Sequence, residues 1–96
     1  KAELYIYEND NTTALDGFIG LSGSYIAGIF VKGTARSQGV GKQLLDYVKA
    51  IKGNLTLKVY ERNERAVKFY QREGFVVQSQ STDEDTGEQE YLMAWG

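Results

Sequence analysis

The stretch YIAGIFVKGTARSQGVGKQLLDYVKAIKGNLTLKVY, residues 25–60, changes period twice, and those changes decide the fold. Residues 25–32 (YIAGIFVK) form a short apolar run bounded by turn residues, the pattern of a central strand. After Gly33 and a polar stretch, Val40, Leu44, Val48 and Ile51 recur at helical spacing, and Leu45 widens the stripe. Gly53 stands where a helix C-cap glycine belongs, and residues 55–60 (LTLKVY) alternate again as a strand. Strand, helix and strand in this order predict a parallel pair joined by a right-handed crossover.

Upstream, the pattern is β throughout. Residues 3–8 (ELYIYE) put Leu4 and Ile6 on one face and Tyr5 and Tyr7 on the other, so both faces are expected to be covered. Asp10, Asn11, Thr12 and Thr13 supply turn chemistry, and residues 14–22 (ALDGFIGLS) resume a strand weakened by Gly17 and Gly20. Gly23 and Ser24 make the next tight turn, which gives a three-stranded antiparallel meander. Downstream, Asn63 is a good N-cap and Glu64 suits the positive first turn. Ala66, Val67, Phe69 and Tyr70 then mark a second helix ending at Gly74, with Phe69 and Phe75 as expected core residues. Residues 75–80 (FVVQSQ) and 89–95 (QEYLMAW) read as strands joined through the acidic loop 82–88. The order is β-β-β-α-β-α-β-β, an α+β fold with a mixed sheet, and residues 1–96 read as a single domain.

Composition narrows the chemistry. The 96 residues are 42% apolar and 25% charged, which is ordinary globular usage. There is no Cys and no His, so a disulfide scaffold, a thiolate zinc site, a Cys nucleophile and a His-based triad are all excluded. A net charge of −2 argues against a nucleic-acid backbone as partner. No apolar run approaches the roughly 20 residues a membrane helix needs, and the start lacks the features of a signal peptide. A cytoplasmic protein that engages no membrane is the expectation. The chain opens directly into a strand pattern without Met, which suggests residues upstream of it.

The segment richest in chemistry is Arg36-Ser37-Gln38-Gly39-Val40-Gly41-Lys42, set between the apolar strand and the amphipathic helix. Amides at a helix start have no internal partner, the helix dipole adds positive potential, and glycines let an anion approach the backbone. Two better-known phosphate loops fail on spacing. A P-loop needs Gly where Arg36 stands and Ser or Thr where Gln43 stands, and a dinucleotide fingerprint needs Gly where Leu44 stands. The plain alternative is that Gly39 and Gly41 only tighten a turn. Gly28, inside the preceding strand, marks either a bulge or the close approach of another backbone. A bulged strand splayed from its parallel neighbour would offer unpaired amides and carbonyls to a ligand. An elongated ligand with amides at one end and a pyrophosphate at the other fits such a site, and coenzyme A is one.

At these residues the sequence resembles the GNAT superfamily of acyl-CoA N-acyltransferases. Arg36-Ser-Gln-Gly-Val-Gly41 looks like its Arg/Gln-x-x-Gly-x-Gly/Ala pyrophosphate loop, and Asn63-Glu-Arg-Ala-Val-Lys-Phe-Tyr70-Gln-Arg-Glu-Gly-Phe75 looks like its Asn-x-x-Ala-x-x-Phe-Tyr-x-x-x-Gly-Phe helix. The nearest look is that of small bacterial protein or small-amine acetyltransferases. The resemblance implies a three-layer fold with a splayed parallel pair of strands. It implies acetyl-CoA as cosubstrate, no metal, and an amine on a small molecule, peptide or protein as acceptor. Backbone groups of Ile29, Phe30 and Val31 would pair with the pantetheine arm. The amides of Arg36, Ser37, Gln38, Gly39, Val40, Gly41 and Lys42 would hold the pyrophosphate, and Asn63 would bond near the pantetheine or acyl end. Tyr70 would protonate the leaving thiolate, and packing in the core is its ordinary alternative role. Transfer would be direct, because no Cys is present and no Ser has a His partner.

Two departures from the family pattern stand out. Many members carry a Glu five residues before the Asn, to take the acceptor's proton, and Lys58 stands there, on the strand face opposite Leu57 and Val59. A general base is therefore unassigned between Glu61, a water chain and an acceptor that arrives neutral. The family's usual first strand and two helices also have no counterpart. The strand at 3–8 is then expected to be an exposed edge, with part of the sheet uncovered, as in a truncated domain or one completed by a homodimer or another chain. The alternatives to an active enzyme are a non-catalytic acyl-CoA-binding module, an inactive fragment and a plain interaction domain.

Overall fold

The computed structural model describes residues 2–8, 15–33 and 39–96. The turn predicted over residues 10–13 and three residues of the glycine loop, Arg36, Ser37 and Gln38, lie outside the described residues. The chain divides into two units, Lys1–Gly53 and Asn54–Gly96.

In the first unit, β1 (Ala2–Glu8), β2 (Leu15–Ser22) and β3 (Tyr25–Val31) form the predicted antiparallel meander, followed by α1 (Val40–Lys52). Registers Tyr5↔Ile19 and Ile19↔Ile29 put Tyr5, Ile19 and Ile29 on one pleated face. Along that face Ile19, Leu21 and Ile26 are buried, and Val40, Leu44, Leu45 and Val48 of α1 are buried with them. Full burial of each such side chain contributes about 1.5–3 kcal/mol. Gly17 belongs to this face for a steric reason. A Cβ there would lie 2.7 Å from the Phe30 carbonyl oxygen and 3.2 and 3.3 Å from methyls of Val40 and Leu44. The edges of the same face carry polar ties: Tyr5 meets Tyr47 edge-on at 5.3 Å, and Lys52 Nζ pairs with Glu3 at 2.7 Å.

Two expectations fail in this unit. Ile51 shares Val40's side of α1 but is 47% exposed, because it lies in the last turn, beyond the buried arc that ends at Val48. Leu4 and Ile6 are 61% and 55% exposed, since α1 packs on the Tyr5 side of β1 and not on theirs. Ile6, Phe18 and Phe30 form a cross-strand row on that second face, with the two Phe rings stacked at 5.6 Å. The row is an exposed apolar strip on the face of the meander away from α1.

In the second unit, β4 (Leu55–Tyr60) and β5 (Val76–Thr82) flank β6 (Gln89–Trp95), both antiparallel to it, and α2 runs from Glu64 to Arg72. Leu55, Leu57, Val59 and Met93 supply the buried face of the strands, and Val67, Tyr70 and Phe75 are buried with them. Strand β5 runs two residues past its predicted end, to Thr82, and exposes all seven of its side chains. The acidic loop closes the β5–β6 hairpin as predicted, with the Asp83 N–H donating to Glu88 O at 2.9 Å and the Asp85 N–H to Asp83 Oδ1 at 2.9 Å. Among the described residues no helix is long and apolar enough to cross a membrane.

Candidate active site

The part of the site in the first unit starts at a bulge. Gly20 pairs with Gly28, but Leu21 pairs with Ile26, so Ala27 is the extra residue of β3. A Cβ on Gly28 would meet nothing within 4 Å, so the bulge, rather than a close backbone approach, accounts for this position. The three residues assigned to the pantetheine arm come directly after it. Ile29 and Val31 are half-buried and Phe30 projects to the opposite face, 48% exposed.

Helix α1 then begins in an unusual way. Gly39 takes a left-handed conformation (φ 77°, ψ 16°), no side chain among the described residues caps the helix, and its first turn holds no acidic residue. Among the described residues, the first bond of the helical ladder runs from the Gln43 N–H to Gly39 O at 3.0 Å. The amides of Val40 and Gly41 precede that bond, at the end of the helix where the dipole is positive. A left-handed residue leading into helical ones turns successive N–H groups toward a common concavity, the geometry that suits an anion. Val40 and Gly41 are buried and Lys42 is exposed, its Nζ 3.2 Å from Asp46.

In the second unit Asn63 caps α2. Its Oδ1 accepts from the Ala66 N–H at 3.4 Å, and its own N–H donates to Tyr60 O at 3.0 Å. Tyr70 follows seven residues later, about 10 Å along the axis and on the same side of the helix. It is 8% exposed, with its ring edge-on to Phe75 at 5.7 Å and tilted against Phe69 at 5.4 Å. Burial raises its pKa above the ordinary phenol value. The hydroxyl is thus protonated at neutral pH, the form a proton donor needs. Lys58 is exposed, and its charge helps hold the Asp83 carboxyl below the usual range.

Three residues missed by sequence reasoning, Tyr60, Asp83 and Tyr91, join the candidate base Glu61 in tying the end of β4 to the hairpin. The Tyr60 hydroxyl donates to Asp83 Oδ2 at 2.7 Å, which lowers the pKa of Asp83 and raises that of Tyr60. The Tyr91 hydroxyl donates to Glu61 Oε2 at 2.8 Å, and its own pKa is raised by that carboxylate. These partners lie 23 and 30 residues apart, so only the β4–β6 register brings them together. An open groove of about 630 Å³ lies beside them, lined by Glu61, Arg62, Val67, Lys68 and Tyr91 among others. Asn63 and Tyr70 are not part of its lining. Among the described residues no group of three or more acidic side chains could hold a metal ion.

The chain is similar to several known proteins. The acetyltransferase (GNAT) domain matches residues 1–77. The chain is 33% identical over 96 residues to the peptidyl-lysine N-acetyltransferase YiaC of Escherichia coli, covering 99% of this chain and 64% of that protein. The solution structure of apo YjaB from Escherichia coli superposes with a TM-score of 0.85 at 31% identity, covering 96% of this chain and 63% of that one. A candidate streptothricin acetyltransferase from Bacillus anthracis, solved with acetyl coenzyme A, gives a TM-score of 0.84 at 25% identity over 96% of this chain and 60% of that one. The fold class across both units is thus the mixed-sheet α+β fold expected from the sequence. The chain spans less than two thirds of the length of these relatives.

Proposed function

This chain belongs to the GNAT acetyltransferase family, and on that premise we propose that it carries the acetyl-CoA-handling part of an N-acetyltransferase. The two units act as one domain, in which the pantetheine arm pairs with the backbone of Ile29, Phe30 and Val31, directly after the β3 bulge. The pyrophosphate sits on the glycine loop from Arg36 to Lys42. The observation that carries this reading is the entrance of α1: a left-handed Gly39, no side-chain cap and no acidic first-turn residue, on the strand-to-helix step that comes after a bulge.

The groups present dictate the chemistry. A neutral amine attacks the thioester carbonyl, a C–N bond forms, and the C–S bond breaks. The thiolate takes its proton from Tyr70, whose protonated state burial maintains, and the proton lost by the amine restores the phenol through solvent. Reference values of about 10 for a phenol and about 8.5 for a thiol make this transfer nearly balanced. A backbone N–H of the bulged strand β3 supplies the donor that the developing oxyanion needs in this reading. Since relatives are named for peptidyl-lysine, the acceptor is a lysine side chain of a peptide or protein.

A second reading, binding of acyl-CoA without turnover, draws on one observation: the exposed Lys58 where the family pattern has an acid. One experiment separates the two. The chain is titrated with acetyl-CoA in a thermal-shift assay, then assayed for thiol release with a lysine peptide. Ligand at 100 times its Kd adds about 2.7 kcal/mol, a shift of roughly 10–20 °C for a domain this size. A shift with thiol release supports the transferase, and a shift without release supports the binding module. No shift at millimolar acetyl-CoA overturns both.

A further inference from the structure

The three residues that lead into Asn63 are each fastened to the β5–β6 hairpin. Tyr60 donates to Asp83 at 2.7 Å, and Glu61 accepts from Tyr91 at 2.8 Å. The Glu61 N–H donates to Gln89 O at 2.9 Å, and Arg62 Nε lies 3.7 Å from Glu88. The exposed Arg62–Glu88 pair adds little on its own. The two phenol–carboxylate bonds differ from it, being short and charge-assisted. They also act on different faces, since Tyr91 pairs with Val59, the neighbour of Tyr60 in β4. The end of β4 is therefore gripped from both sides of the sheet.

The gripped segment leads straight into the second helix. Asn63 donates its backbone N–H to Tyr60 O at 3.0 Å, so the position of Tyr60 sets that of Asn63. The cap bond of Asn63 to Ala66 is 3.4 Å, beyond the usual range, and does not fix the side chain by itself. Asp83 is organised in turn by the hairpin, accepting from the Asp85 N–H at 2.9 Å.

We infer that the β5–β6 hairpin is a positioning element for the active site, with Asp83 and Tyr91 as positioning residues that hold the Tyr60–Asn63 turn and hence the entry of α2, which carries Tyr70. Neither residue touches the substrates. The inference rests on the acetyltransferase reading for its catalytic consequence but on the hydrogen bonds alone for its mechanical one.

The test uses Asp83→Ala, Asp83→Asn and Tyr91→Phe in the whole chain, read by amide exchange without substrate and by kinetics with acetyl-CoA and a lysine peptide. In Asp83→Ala and Tyr91→Phe the amides of residues 61–67 exchange at least about 5-fold faster, while core amides of β4 and β6 keep their protection. The kcat falls about 10-fold with the acetyl-CoA KM within about 2-fold, since small displacements cost rate more than binding. Asp83→Asn keeps one oxygen for the Asp85 N–H and turns its amide nitrogen to donate to the Tyr60 oxygen, so the tie is kept and both readouts are restored. Unchanged exchange at residues 61–67 in both variants overturns the inference. So does a uniform loss of protection across the second unit, which would mean a purely structural role. If exchange changes as stated but the wild-type chain neither binds acetyl-CoA nor turns over, the hairpin's role stands and the functional reading is what fails.

Discussion

The two helices enter from strands in opposite ways. Helix α1 starts at a left-handed glycine, without a capping side chain or a first-turn acid, whereas α2 starts at Asn63, whose side chain caps it, and has Glu64 in its first turn. Stability alone explains the second arrangement. At nine residues α2 buries only Val67 and Tyr70 and is shorter than an isolated helix can tolerate, so it needs the roughly 1 kcal/mol a cap supplies. Helix α1 has thirteen residues and buries Val40, Gly41, Leu44, Leu45 and Val48. Its anchoring through core side chains, at about 1.5–3 kcal/mol each, exceeds anything a cap contributes. In the proposed function the first amides of α1 serve an anion, so one entrance serves binding and the other holds Tyr70 in place.

The sharpest break of this contrast is at the reactive phenol. Tyr70→Phe is expected to lower kcat about 100-fold, the low end of general-acid effects, with acetyl-CoA affinity nearly unchanged. Rapid-quench or steady-state kinetics alongside calorimetric binding would check it, and an unchanged kcat would remove Tyr70 from the chemistry. The pH profile carries the same information. Burial favours the neutral phenol, so no alkaline loss of rate from Tyr70 is expected until above about pH 10. The sign for stability agrees. The native state prefers the protonated form, so the contribution is complete below the unfolded value and is lost as pH rises through the folded one.

Smaller, and aimed at the other helix, is Lys42→Glu, which gives α1 the acidic first turn that α2 already has. An acid there gains about 0.3–1 kcal/mol from the helix dipole. It also exchanges the Lys42–Asp46 pair for a like-charge one, at about 0.2–0.5 kcal/mol for each change. The expected melting temperature therefore barely moves, while acetyl-CoA affinity drops about 10-fold, equivalent to about 1.4 kcal/mol. Equal affinity in the two proteins, measured by calorimetry, would show that the α1 entrance is not the anion site.

Most of this contrast is legible in the sequence. Gly39, Gly53 and Asn63 punctuate the chain where the caps fall, and every element is recovered with its bounds shifted by two residues or fewer. What the pattern misses depends on position along an axis or across a sheet. Ile51 fits the helical stripe, yet periodicity carries angle and not depth, and the last turn of α1 is open. Leu4 and Ile6 have the alternation of a doubly covered strand, but alternation says nothing of what lies opposite. Tyr60–Asp83 and Tyr91–Glu61 depend on the register Tyr60↔Glu90 and Val59↔Tyr91, which no local signal specifies. The candidate residues were found through motifs, whereas the ties that hold one of them in place emerge only from the fold.

The finest test of the contrast is at Asn63, where capping and a ligand-facing role coincide. Replacing it with Ala removes the Oδ1 acceptor for Ala66 and is expected to cost about 1 kcal/mol, or about 4–8 °C in melting temperature for a domain of this size. Asn63→Asp keeps an oxygen at the same position and adds charge that the helix start favours, so its melting temperature should match the wild type. The amide nitrogen, however, is lost in both. If Asn63 acts only as a cap, Asp restores turnover along with stability. If its side chain also donates to the acetyl-CoA tether, Asp restores stability alone and kcat/KM stays low. Thermal melts and kinetics on the pair of variants thus separate a helix that is merely well started from one whose first residue also faces the chemistry.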